Sequence, residues 1–171
     1  ALGSPLGTSY SILSGSITSR GNEITTLDNN YSVFTTDIVG SKNGSGILIN
    51  VNGEIVGLIM QDYSSAGASN TLTAVAISEV SELLNLLMAG EDIPYLGISG
   101  TTVTDKIADK YTVPKGVYVK EVEMDSPAML AGIQSGDVII SLDGEEINSM
   151  SAYSQKLLTL IPGESCEAVS Y

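Results

Sequence analysis

Histidine and tryptophan are absent from this chain of 171 residues, and Cys166 and Phe34 are each the only residue of their kind. Without an imidazole the chain lacks the usual general base of a nucleophilic serine and the commonest zinc ligand. That composition argues against a zinc site and leaves scattered carboxylates as the only ligands for a weak hard cation. A single cysteine excludes an internal disulfide and leaves the redox compartment unread. Basic residues are scarce, with 7 Lys and Arg against 20 Asp and Glu, and the net charge of −13 argues against nucleic acid or an anionic membrane as partner. No apolar run approaches the roughly 20 residues of a membrane span. The opening Ala1-Leu2-Gly3-Ser4-Pro5-Leu6-Gly7 lacks the basic and apolar regions of a signal peptide and reads as the interior of a larger protein.

What is present belongs to a folded globular chain: 43% hydrophobic and 16% charged residues, with length enough for one large domain or two small ones. Its cores must be aliphatic. Residues 11–19, 31–35, 46–51, 54–60 and 71–77 each read as a strand, separated by Gly, Asn and Ser. Asn52-Gly53 within Val51-Asn52-Gly53-Glu54 signals a tight hairpin turn, because the pair supplies positive φ angles. Strands so linked predict a small antiparallel barrel. At Ser78 the period changes. Val80, Leu83, Leu84 and Leu87 recur at i, i+3, i+4 and i+7, which predicts a helix over 78–89 with Ser78 as N-cap and Gly90 as its stop. The helix closes a first domain, residues 1–90.

A second domain, residues 91–171, follows the link Glu91-Asp92-Ile93-Pro94. It reads as strands at 95–99, 116–123, 137–142 and 165–171 and helices at 104–110, 127–131 and 150–160. Ser126-Pro127 with Gly132 has the layout of an N-cap, a proline in the first turn and a C-terminal glycine. Asp143-Gly144 marks another hairpin, and Met150, Tyr153, Leu157 and Leu160 line one helical face.

The segment carrying chemistry in the first domain is Thr36-Asp37-Ile38-Val39-Gly40-Ser41-Lys42-Asn43-Gly44-Ser45-Gly46, which runs into Ile47-Leu48-Ile49. A serine between glycines on a turn that feeds a strand can be held out of the core with backbone N–H groups beside it, the arrangement of a nucleophile. If Ser45 is one, its base lies outside this chain. Lys42 is close enough to suggest a Ser-Lys pair, although a solvated loop lysine is the plainer reading, and Asp37 reads as structural. Asn43-Gly44-Ser45 also fits the N-glycosylation pattern, which an open active site would not tolerate.

Taken together, Leu2-Gly3-Ser4-Pro5-Leu6-Gly7, Ser14-Gly15-Ser16-Ile17, the Ser45 turn, Asn52-Gly53-Glu54-Ile55-Val56-Gly57 and Ala76-Ile77-Ser78-Glu79-Val80 resemble the second barrel of the HtrA/DegP family of trypsin-like serine endopeptidases. Tyr95-Leu96-Gly97-Ile98, the stretch from Val122 through Ser126-Pro127-Ala128, Ala131-Gly132 and Gly136-Asp137-Val138-Ile139 resemble that family's C-terminal PDZ domain. The resemblance covers essentially the whole chain and implies a mainly β protein with α+β character: a trypsin-like antiparallel β-barrel, the second barrel only, followed by a PDZ domain. It implies an ATP-independent endopeptidase of extracytoplasmic protein quality control, secreted or membrane-tethered, often trimeric, needing no cofactor or metal and acting on unfolded proteins and peptides. Its first barrel, which would supply the His and Asp, is missing here.

By this resemblance Ser45 takes the nucleophile position, with the N–H groups of Asn43 and Ser45 as the oxyanion hole. Tyr95, Leu96, Gly97 and Ile98 would hold a peptide's C-terminal carboxylate. Tyr153 and Leu157 would flank it, hinting with Ile98 at an apolar last residue and at a peptide that adds as a strand beside the helix. The nucleophile turn departs from the family's Gly-Asn-Ser-Gly-Gly-Pro-Leu: Asn stands two before the serine, the second Gly and the Pro are missing, and the stretch to Gly53 is one residue short. That departure sustains an alternative, a non-catalytic pseudoprotease that binds peptides through its PDZ domain.

Overall fold

The computed structural model describes residues 1–60 and 71–171, which divide into two compact units. One comprises Ala1–Ile24 and Tyr31–Asn85, the other Thr25–Asn30 and Leu86–Tyr171. Six residues far from the second stretch in sequence thus belong to the second unit.

The first unit is built on β1 (Leu2–Ser4), β2 (Ser11–Ile12), β3 (Ile17–Thr26), β4 (Asn29–Val39), β5 (Ser45–Ile49), β6 (Ile55–Ile59) and β7 (Thr71–Ala76), followed by helix α1 (Ile77–Ala89). The strands form one sheet in the order β2-β1-β5-β6-β7-β4-β3. Among the described residues the pairing runs from β2 to β3 without closing into a ring. A single strand over 11–19 does not form: Leu13–Ser16 interrupt it, and Ser16 is tied to β4, its N–H donating 2.7 Å to Asp37 Oδ1 while its carbonyl accepts from Asp37 N. Every residue of β7 from Leu72 to Ala76 is buried, so this strand is covered on both faces. Its side chains serve two aliphatic clusters, one with Ile38, Leu48 and Ile59, the other with Ile24, Val33 and Val80.

The turn after β5 is wider than Asn52-Gly53 alone predicts. Asn50 Oδ1 accepts from the N–H groups of both Asn52 and Glu54, and only Gly53 of the pair has positive φ, at 82°. The Asn50 side chain adds to a backbone pairing in which Asn50 N donates to Glu54 O at 2.9 Å. Helix α1 starts at Ile77, so Ser78 lies inside it and is not the cap.

The second unit contains β8 (Ile98–Thr102), α2 (Asp105–Tyr111), β9 (Val117–Val122), α3 (Pro127–Leu130), β10 (Val138–Leu142), β11 (Glu145–Glu146), α4 (Met150–Leu158) and β12 (Ala168–Ser170). Its sheet runs β11-β10-β9-β8, with β12 also on β10. Ser126 caps α3 by accepting from Met129 N at 3.2 Å, with Pro127 in the first turn, and Ser149 caps α4 by accepting from Ala152 N at 3.1 Å. Asp143 and Gly144 both have positive φ, as a two-residue hairpin between β10 and β11 requires. Met150, Tyr153 and Leu157 turn one face of α4 onto Ile98, Val117, Ile139 and Leu142.

Candidate functional site

Residues 95–97 form a loop leading into β8, where the sequence suggests a strand from 95. Leu96 and Ile98 are buried, and these two apolar anchors fix the loop on the core. Gly97 between them has φ +86°, and a Cβ there would lie 2.4 Å from Ser126 Cβ, so only glycine fits. The loop carbonyls point away: Leu96 O accepts from Ala128 N at 3.0 Å and Gly97 O from Glu123 N at 2.8 Å. The N–H groups of Leu96, Gly97 and Ile98 are thereby left converging on one point, a backbone nest suited to an anion.

That point is filled. The carboxylate of Asp28 accepts from Leu96 N (2.9 Å) and Gly97 N (2.8 Å) on Oδ2, and from Ile98 N (3.1 Å) on Oδ1. A fourth donor, the Tyr153 hydroxyl, reaches Oδ1 at 2.7 Å. The backbone continues the match, since Asp28 N–H donates 2.7 Å to Ile98 O, and Asn30 Nδ2 reaches Gly100 O at 3.4 Å. Asp28, itself buried, sits at the β3–β4 turn with φ +58°, a left-handed conformation that aspartate tolerates better than most residues. All of these groups belong to the second unit.

Tyr153 is fully buried, and its phenol stays protonated far above the ordinary tyrosine range, first because burial disfavours the phenolate and then because the Asp28 charge repels it and its hydrogen bond needs the proton. It is a permanent donor. Tyr95 is partly exposed, and its phenol is also raised, by desolvation and then by the charges of Glu123 and Asp28. Leu157 packs beneath in the core. The sequence reading placed Tyr153 in an apolar wall; its ring does pack there, but its hydroxyl serves the anion. It did not single out Asp28, whose backbone donors lie 68 to 70 residues away along the chain and whose hydroxyl donor lies 125 away.

In the first unit, Ser45 opens β5, exposed and paired with Ser4 of β1. The turn before it folds inward: Ser41 N donates to Pro5 O at 2.9 Å, Gly44 N to Ser41 O at 2.7 Å, and Asn43 N to Ser41 Oγ at 3.3 Å. The Asn43 N–H, expected to help line an oxyanion hole, therefore already has a partner in this conformation. Lys42 is exposed. Among the described residues no group of His, Cys, Asp and Glu is placed to hold a metal ion.

Residues 94–167 match the PDZ domain family. The second unit contains a PDZ domain. The loop at 95–97 just described lies at the start of the matched stretch. Over 96% of its length the chain is 32% identical to a probable periplasmic serine endoprotease, DegP-like, of Hahella chejuensis, of which it covers 36%. It is 30% identical over 95% of its length to the periplasmic pH-dependent serine endoprotease DegQ of Escherichia coli, covering 37% of that protein. It is likewise 31% identical over 92% of its length to the serine protease Do-like HtrB of Bacillus subtilis, covering 38%. The chain thus spans little more than a third of these relatives, with its PDZ domain at the C-terminal end of the matched stretch. Solved structures of the HtrA-type protease AlgW show the same fold: with a decapeptide, TM-score 0.60, 22% identity, covering 98% of this chain and 53% of that one; with a tripeptide, TM-score 0.62, 24% identity, covering 100% and 59%.

Proposed function

We propose that this chain is the carboxylate-recognising part of an HtrA-type serine endopeptidase that works outside the cytoplasm, and that its PDZ groove binds the C-termini of unfolded proteins and peptides. The observation carrying this reading is the convergence of the Leu96, Gly97 and Ile98 N–H groups and the Tyr153 hydroxyl on one carboxylate. Charge-assisted hydrogen bonds from fixed donors select an anion, and the outer edge of β8, where Ile98 O now accepts from Asp28 N and Gly100 O from Asn30 Nδ2, has main-chain groups for the residues before it. The relatives named as periplasmic support the compartment. Fluorescence polarisation with a labelled decapeptide tests the groove: a free apolar C-terminus binds, and its C-terminal amide does not. Equal binding of the two would refute carboxylate recognition.

Cleavage in the whole protein would use Ser45 as nucleophile with a His and an Asp supplied from outside these 171 residues, which hold no histidine. The chain by itself is therefore expected to leave casein intact. A protease assay on the full-length protein with Ser45→Ala as control decides the role of Ser45.

A second reading, a pseudoprotease with a working PDZ domain, is favoured by the inward fold of residues 41–44. Matched to the family pattern without a gap, with Leu48 on its leucine and Asn43 on its asparagine, the chain puts Gly44 at the serine position. Gly44 is buried, and a Cβ there would lie 2.4 Å from Pro5 O. On this reading full-length protein and its Ser45→Ala variant are equally inert towards casein, while peptide binding persists.

A further inference from the structure

The carboxylate in the cradle belongs to the protein itself, and its surroundings bear on how the site works. The hairpin that carries it is weakly held near its tip. Of β3 only Ile24 is buried, Thr25 and Leu27 are exposed, and among the described residues of the turn Asp28 alone is buried. The tip is thus fastened by polar bonds: the carboxylate to its four donors, Asp28 N–H to Ile98 O, and the Asn30 amide to Gly100 O. With β3 exposed and few apolar contacts at the tip, these polar bonds are what resists local opening. The bonds it makes are those an entering peptide would make, with the carboxylate on the nest and the main chain on the β8 edge.

We infer that Asp28 is a resident ligand of the PDZ groove, and that a free peptide C-terminus enters by displacing the tip of the β3–β4 hairpin. The inference rests on the reading of 95–98 as a C-terminal carboxylate site. Ligand and strap compete for the same four donors, so the two states exclude each other. The apparent affinity of any external carboxylate is lowered by the fraction of molecules in which the strap is open. Because the strap is tethered, its effective concentration is high and independent of dilution. The groove therefore responds to an abundance of C-termini and ignores traces of them.

Substitutions at residue 28 can be chosen to spare the turn. Asparagine and glycine both accept φ +58°. Asp28→Asn turns one carboxylate oxygen into an NH2 group facing N–H donors, and Asp28→Gly removes the ligand outright. The test compares the 171-residue chain with both variants, using a labelled decapeptide with a free apolar C-terminus and its amidated twin. For an open fraction between about one in ten and one in a hundred, the free-ended peptide binds both variants about 10- to 100-fold more tightly than the parent, while the amide binds none. Equal affinity in parent and variants overturns the inference yet leaves carboxylate recognition standing. Absence of binding in all three sinks both. Amide NMR on the parent supplies a check that needs no variant: saturating peptide shifts the resonances of Leu96, Gly97 and Ile98 together with those of Asp28 and Asn30. Shifts at 96–98 without any at 28–30 overturn the inference, because they mean that the strap and the peptide do not compete.

Discussion

Replacing Gly97 with alanine adds one methyl group where the structure has two objections to it. The first is conformational: at φ +86° an L-residue costs about 1–2 kcal/mol relative to glycine. The second is steric. The new Cβ lies 2.4 Å from Ser126 Cβ, 2.7 Å from the Tyr95 hydroxyl and 2.9 Å from Tyr95 Cζ. Tyr95 is partly exposed and can swing away. Ser126 cannot, because it is buried and its hydroxyl caps α3 through Met129 N. Relieving that contact shifts the loop or the cap, at about 1–3 kcal/mol for overpacking. The sum is about 2–5 kcal/mol, which lowers the melting midpoint of the second unit by at least about 8 °C. Gly132→Ala is the internal control: its φ is +89° with nothing within 4 Å of the added Cβ, so it carries the conformational cost alone. Calorimetry of the three proteins separates the two terms. Equal losses in Gly97→Ala and Gly132→Ala would refute the steric argument, and a Gly97→Ala midpoint within about 2 °C of the parent would refute both.

Tyr153→Phe keeps the buried ring and removes one donor from a carboxylate that retains three backbone N–H groups, so urea denaturation should show a loss of about 1.5–3 kcal/mol, the range for a hydrogen bond to a charged group. Ionisation follows from the direction of the Tyr153 shift. Its phenol is raised in the folded state, so its contribution to stability is complete below the ordinary tyrosine range and lost as pH climbs above about 10. An ultraviolet titration should therefore show the Tyr153 phenolate appearing only with unfolding; its appearance with the fold intact would contradict the buried bond. Ser126→Ala should cost the α3 cap about 1 kcal/mol by the same denaturation assay, and no measurable loss would show that the bond to Met129 N is not formed in solution.

Local chemistry made much of the second unit readable. Ser126-Pro127 and Gly132 bracket α3, and Asp143-Gly144 needs no context to be a turn, because each of these signals acts through its own backbone. The periodicity of α4 likewise named the buried Met150, Tyr153 and Leu157. The misses share a cause. Strand β1 is three residues, Leu2–Ser4, and exists by pairing with residues 45–47, a register no local pattern encodes. The β3–β4 hairpin escaped because β3 is almost wholly exposed and offers no alternation of apolar and polar residues. Nothing local announced that the N–H groups of Leu96, Gly97 and Ile98 would meet the carboxylate of Asp28. An aspartate in a polar turn looks like any solvated aspartate until the fold brings distant N–H groups to it.

The grouping of Thr25–Asn30 with the second unit has a consequence for the gene. A continuous stretch of gene carries a unit whole only where the chain passes once from one unit to the next. Here the chain passes between the units at 24/25, 30/31 and 85/86, so no single cut frees the second unit whole. A cassette beginning at residue 86 carries away the cradle and leaves its carboxylate behind. A segment moved in that way would keep the donors of Leu96, Gly97, Ile98 and Tyr153 and lose the carboxylate that accepts from them.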